Sequence, residues 1–153
     1  MRNKNKLLIK QLDRKLEPFK EVRRVNVPAK GWIHSIRHAL NMTMEQLGKR
    51  MGITKQGVKR IEESEVKGSL SLNTLKEVAE ALDMKLVYAL VPKKGSLQSL
   101  IDKKAKDLAT KIVMRTHKNM QLENQAISDE LLEEAINDLA EELRYEMKKS
   151  LWD

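Results

Sequence analysis

The run Thr43-Met44-Glu45-Gln46-Leu47-Gly48-Lys49-Arg50-Met51-Gly52-Ile53-Thr54-Lys55-Gln56-Gly57-Val58-Lys59-Arg60-Ile61-Glu62 decides the fold. It reads as two short helices, 44–51 and 55–63, with three residues between their bodies. Thr43 caps the first, because its hydroxyl accepts from the unpaired amides of the first turn, and Thr54 caps the second. Gly52 ends the first helix by taking left-handed backbone. Gly48 supplies the small residue where the two helices touch, and Leu47, Ile53, Val58 and Ile61 lock the pair as a helix-turn-helix requires. The second helix is then free to enter a major groove with Lys55, Gln56, Lys59 and Arg60. Gln56 suits paired bonds to adenine, and Lys55 or Arg60 suits guanine O6 and N7. Thr43, Thr54 and Lys59 suit phosphates, which fix register without reading sequence. Any basic helical hairpin shares part of this pattern, but consecutive caps, a turn glycine and a positive body together favour DNA binding.

Working outward on the N-terminal side, Trp32, Ile33, Ile36, Ala39 and Leu40 repeat as on a core-facing helix over 32–40. Before it, residues 21–30 read as an extended connector ended by Gly31, and residues 4–20 as an amphipathic helix ended near Pro18. On the C-terminal side, residues 64–71 read as a polar loop, and Leu72, Leu75, Val78, Ala79 and Leu82 line a further helix. Leu86-Val87-Tyr88-Ala89-Leu90-Val91 reads as one short strand stopped by Pro92. A solitary strand cannot satisfy its own backbone, so it implies pairing with the same strand of a second copy or with another edge. Beyond Gly95, apolar positions from Leu97 to Val113 mark a long helix whose other face is basic. A kinked polar segment, 118–127, leads to a last helix capped by Ser128, with Leu131, Leu132, Ala135, Ile136, Leu139, Leu143 and Met147 on its apolar stripe. The implied organisation is 1–30 as N-terminal helix and connector, 31–92 as the DNA-binding domain with its strand, and 93–153 as a helical partner-binding region.

Charge is distributed unevenly along these parts. The chain of 153 residues carries 30 Lys and Arg against 22 Asp and Glu, a formal net charge of +8. From residue 121 onward there are three basic and ten acidic residues, so the tail stands at −7 and the rest at +15. A basic body attracts polyanions by releasing their condensed counterions. The acidic tail is repelled by the same polyanion, which points it to solvent or to a different partner.

Other chemistry finds little footing. There is no cysteine, which removes disulfides and thiolate metal sites and suits a cytoplasmic protein. The longest apolar run, 86–91, is far short of the roughly 20 residues needed to span a bilayer, and the N-terminus shows no signal-peptide core. His34 and His38 have the four-residue spacing of a two-histidine metal site, but no third ligand stands beside them. The serines sit at caps and loops without a base or an oxyanion site, and the glycines form no phosphate-cradling loop. The expectation is therefore no enzyme, no metal and no cofactor.

Residues 32–82 resemble the phage-repressor-type (XRE/Cro) helix-turn-helix domain. More narrowly, Gly31-Trp32-Ile33, Leu47-Gly48-Lys49-Arg50-Met51-Gly52, Glu63-Ser64-Glu65 and Leu82-Asp83 through Leu86-Val87-Tyr88-Ala89-Leu90-Val91-Pro92 resemble the mobile mystery protein A family. The likeness extends over nearly the whole chain. It implies an antitoxin encoded beside a Fic-domain partner, mobile mystery protein B, of a class that transfers the AMP part of ATP to hydroxyl side chains. Fic inhibitors carry Ser or Thr, three residues, Glu, then Gly or Asn. Asn119-Met120-Gln121-Leu122-Glu123-Asn124 fits at Glu123 and Asn124 and departs at Asn119. In that mechanism the glutamate occupies an arginine that otherwise holds the ATP γ-phosphate, since a carboxylate fits the same guanidinium fork.

Together these readings predict a mainly α fold: a phage-repressor-like helix-turn-helix domain with one short β-strand, an N-terminal helix and C-terminal helices. The function they imply is that of an antitoxin that represses double-stranded operator DNA as a homodimer and inhibits a Fic-type toxin through its C-terminal region. The alternative is a stand-alone XRE-type regulator whose C-terminal helices dimerise or sense a ligand. A third reading is a helical adaptor whose basic face binds an acidic protein.

Overall fold

A computed structural model describes residues 2–122 and 128–153. Seven α-helices form among them: α1 (Arg2–Leu16), α2 (Trp32–Ala39), α3 (Met44–Met51), α4 (Lys55–Lys67), α5 (Leu72–Ala81), α6 (Leu97–Leu122) and α7 (Asp129–Glu146). They belong to two compact units, one of residues 24–89 and one of residues 1–23 with 90–153.

In the 24–89 unit, α2 to α5 enclose Ile33, Leu47, Val58, Val78 and Leu82, with Ile36, Met51, Ile61 and Leu75 packed around them. Leu47, Val58 and Val78 are fully buried, each contributing about 1.5–3 kcal/mol by leaving water. Local signals set the helix ends. Thr43 Oγ1 accepts from Gln46 N at 3.1 Å while Gln46 Oε1 accepts from Thr43 N at 2.8 Å, so two donors at the head of α3 are satisfied reciprocally. Gly52 closes α3 with φ 71°, a region that costs a side-chain-bearing residue strain. Gly48 answers a different need: a Cβ there would lie 2.7 Å from the Ile53 carbonyl oxygen, so only glycine lets the turn pack against α3.

The unit of residues 1–23 and 90–153 is built on α6 and α7. Asp102 Oδ1 lies 3.7 Å from Arg144 Nη1, near the start of one helix and the end of the other, so the two run antiparallel. Ala105 and Ala109 let α7 approach closely, and Ala140, Leu143 and Leu151 complete this core. Leu151 comes from a terminal 3₁₀ turn, Lys149–Trp152. The Asp13 carboxylate of α1 accepts from the first amides of α6, Leu97 N at 2.8 Å and Gln98 N at 3.3 Å. An acidic side chain suits that positive end of a helix.

Several expectations are corrected. No strand forms among the described residues, and residues 85–91 belong to no regular element and make no backbone–backbone hydrogen bond. The apolar, β-branched composition of 86–91 favours extended backbone, but a strand exists only when an adjacent edge pairs with it, and one copy presents none. The loop expected over 64–71 is shorter, because α4 runs on to Lys67 and ends at Gly68. The polar residues 118–122 continue α6. Residues 17–19 form a 3₁₀ turn after α1, since Pro18 has no N–H to continue the i→i−4 bonds of the helix and its ring crowds the preceding turn. The first part of the expected connector, Glu21–Arg24, is also a 3₁₀ turn.

Candidate nucleic-acid interface

The position of α4 follows from charge buried beneath it. Arg37 of α2 and Glu62 of α4 are only 7% and 6% exposed. Arg37 Nε donates to Glu62 Oε1 at 2.6 Å, its Nη2 to Oε2 at 3.3 Å and its Nη1 to the Met42 carbonyl at 2.8 Å. This two-pronged pair fixes both rotation and depth of α4, because a buried charge tolerates little loss of its partner. Glu65, one turn further on, accepts from the first amides of α2, Trp32 N at 2.6 Å and Ile33 N at 2.8 Å. Two glutamates of α4 thus hold α2 from below and at its end.

With Val58 and Glu62 turned inward, the exposed side of α4 presents Lys55, Gln56, Lys59 and Arg60. The positions repeat at one, three and four residues, so they occupy one side of the helix. Thr54 Oγ1 accepts from Gly57 N at 3.1 Å, and Thr43 is engaged likewise at the head of α3. At Thr54 the hydroxyl oxygen is used by the cap while its proton remains to donate to a phosphate oxygen, whereas the Thr43 hydroxyl also hydrogen-bonds the Glu45 carboxylate. Lys55 Nζ lies 3.1 Å from Glu45 Oε1 across the turn. The Glu45 carboxyl is held below its ordinary value of 4.5, first by a hydrogen bond from its own backbone amide and then by the Lys55 ammonium. The pair is exposed, so it orients Lys55 without adding much stability.

The arrangement gathers the six predicted DNA-contacting residues, Thr43, Thr54, Lys55, Gln56, Lys59 and Arg60, on the two helix starts and the exposed face of α4. The predicted inhibitory residues are not gathered: Asn119 is exposed on α6, whereas Glu123 and Asn124 lie outside the described residues. His34 and His38 stack with ring centroids 5.9 Å apart. His34 Nδ1 stands 3.2 Å from Glu62 Oε2, which ties it to the buried pair. Among the described residues no three His, Asp or Glu side chains form a group able to hold a metal ion.

Sequence reading passed over Arg37 and over the structural role of Glu62 and Glu65. A signal for the first two did exist. Arg37 lies four residues after Ile33 and Glu62 four after Val58, so each falls on an apolar stripe, and opposite charges on two such stripes imply a pair. Glu65 carried no comparable signal.

A known protein family resembles this part of the chain. Residues 33–88 match the family model described as Helix-turn-helix, of XRE type. The chain therefore carries an XRE-type helix-turn-helix domain there, which implies DNA-binding regulation. The match spans little more than a third of the sequence and does not identify the mobile mystery protein A family. Neither the curated proteins nor the solved structures yielded a match. No helix of the described residues is long and apolar enough to cross a membrane.

Proposed function

We propose that this protein is a transcriptional repressor that reads operator DNA by laying the exposed face of α4 in the major groove. The observation that carries the reading is the set Lys55, Gln56, Lys59 and Arg60 standing outward on a helix whose inner side is fixed by the Arg37–Glu62 pair. Side chains that read base edges must be held in one orientation, and a buried two-pronged ion pair supplies it. The test is a gel shift on the DNA upstream of the coding region. Arg60→Ala is expected to cost about 1–3 kcal/mol and to relax sequence preference, whereas Lys59→Ala weakens all sequences alike and lowers the salt slope by about 1. If neither substitution alters binding, the groove assignment fails.

Operator binding as a homodimer belongs to the same proposal. Residues 85–91 leave their backbone groups unpaired among the described residues, with Val87 64%, Tyr88 62% and Leu90 93% exposed. A second copy presents the same unpaired edge, and two-fold pairing matches the palindromic sites that such domains read. Sedimentation of the free protein distinguishes a dimer from a monomer.

The finer reading is an antitoxin whose C-terminal region inhibits a Fic-type AMP-transferase through Glu123, assisted by Asn124 and Asn119. Its support is the family resemblance and the charge reversal between body and tail. Coexpression with the neighbouring Fic-type enzyme tests it: the wild type permits growth, and Glu123→Gly abolishes protection while the complex persists. Growth with the Glu123→Gly complex intact rejects the inhibitory glutamate. Absence of any Fic gene beside this one leaves a stand-alone regulator with no enzymatic activity of its own.

A further inference from the structure

The second unit carries a cationic surface that the DNA-reading face of α4 does not explain. Lys103, Lys104, Lys106, Lys111, Arg115 and Lys118 are all exposed on α6. Among the described residues none of the six makes an ion pair. Lys104, Lys111, Arg115 and Lys118 follow at steps of seven, four and three, which returns each to nearly the same side of the helix. This stripe is about 21 Å long at 1.5 Å per residue. Along that axial length one strand of duplex DNA presents about six phosphates.

The bland reading is a solvated face over a helical core. Against it stands the imbalance of sign within one helical pair. The exposed acids Asp129, Glu130, Glu133, Glu134, Asp138, Glu141 and Glu142 lie on α7 beside one exposed cation, Arg144, whereas α6 exposes six cations and one acid, Asp107, which lies on the side of the stripe. A surface serving solubility alone intersperses both signs evenly, whereas a strong excess of one sign along a helix generates a field that attracts a polyion. An anionic membrane is the weaker candidate. Ala105 and Ala109 on the apolar side of α6 are fully buried in the core shared with α7, so only part of that side, with Ile112, Met114 and Leu122 exposed, is free to enter the interface.

We propose that Lys104, Lys111, Arg115 and Lys118 form a second, sequence-indifferent contact of this protein with the phosphate backbone of duplex DNA. The contact deepens the repressor reading but uses residues outside the helix-turn-helix domain, so the two stand or fall separately. Phosphate contacts of this kind add affinity and lengthen the search along DNA without specifying a site.

The experiment measures full-chain binding to a random-sequence duplex between about 50 and 200 mM salt, where each phosphate contact contributes about 0.9 to the log–log slope. Replacing all four residues with Gln is expected to reduce the slope by about 3 to 4, with operator preference over random DNA unchanged. Lys104→Arg, Lys111→Arg and Lys118→Arg with Arg115 retained keep the charge and are expected to keep the slope. A Gln set with a wild-type slope, and with circular dichroism showing it folded, overturns the proposal. So does retention of the wild type, but not of the Gln set, on phosphatidylserine-containing vesicles while the DNA slope is unaffected. Arg60→Ala in parallel separates the two readings: if it leaves preference intact while the Gln set lowers the slope, groove reading fails and the α6 contact survives.

Discussion

The two units of this protein are held together by opposite means. In residues 24–89, short helices meet around a small apolar core, and their geometry is pinned by a charged pair, two threonine caps and a glycine pressed against a carbonyl. Around α6 and α7, long helices meet along alanines and leucines, with their charges left on the outside. The contrast separates two tasks. Reading a base sequence requires side chains held in one direction, so the first unit spends buried polar groups on orientation. A surface that only attracts or docks a partner needs length and charge, which two packed amphipathic helices provide.

The strongest way to break this comparison is to remove one half of the buried pair. Glu62→Ala leaves the Arg37 guanidinium uncompensated and is expected to cost about 3–5 kcal/mol, abolishing DNA binding. Urea denaturation followed by hydrogen exchange should show α2 to α5 unprotected while α6 and α7 stay protected. Joint loss in both units would show that they are not separately stable.

A matched pair of milder substitutions sharpens the same contrast. Gly48→Ala forces a methyl against the Ile53 carbonyl, 2.7 Å away, and Ala105→Leu overfills the contact between α6 and α7. Each is expected to cost about 1–3 kcal/mol. Only the first should impair operator binding, as read by thermal melts beside gel shifts. The smallest effect belongs to Glu45. Its carboxyl is depressed below 4.5, so whatever the ion pair with Lys55 contributes is present above that pH and is lost as pH falls through the lowered value. Glu45→Gln should therefore melt like the wild type in acid and differ only slightly at neutral pH. Freeing Lys55 and removing a negative charge near the phosphates should tighten DNA binding by about threefold, within the modest range of exposed pairs.

What the sequence disclosed was what its neighbours in sequence enforce. Thr43, Gly52, Thr54 and Ser128 act on backbone within a few residues, so their caps and stops could be read directly. The outward set on α4 followed from the same periodicity that placed Val58 inward. Contacts between distant residues were not readable in this way. Glu65 holds the head of α2 across 33 positions in sequence, and that contact is what rewards carrying α4 past residue 63. The segment 86–91 misled because β propensity describes a residue's fitness for a sheet, not the presence of a neighbouring strand. The identity of an enzyme partner was legible only through resemblance, since Glu123 has no local feature that distinguishes it from a solvated side chain.

Asp13 and the head of α6 are separated by 84 positions along the chain. During synthesis at about 5–20 residues per second, Asp13 is made about 4–17 seconds before its anchoring amides exist. A segment made before the DNA-reading unit is therefore secured after it. In that interval the whole DNA-reading unit has been translated and is free to fold, while α1 waits without its anchor.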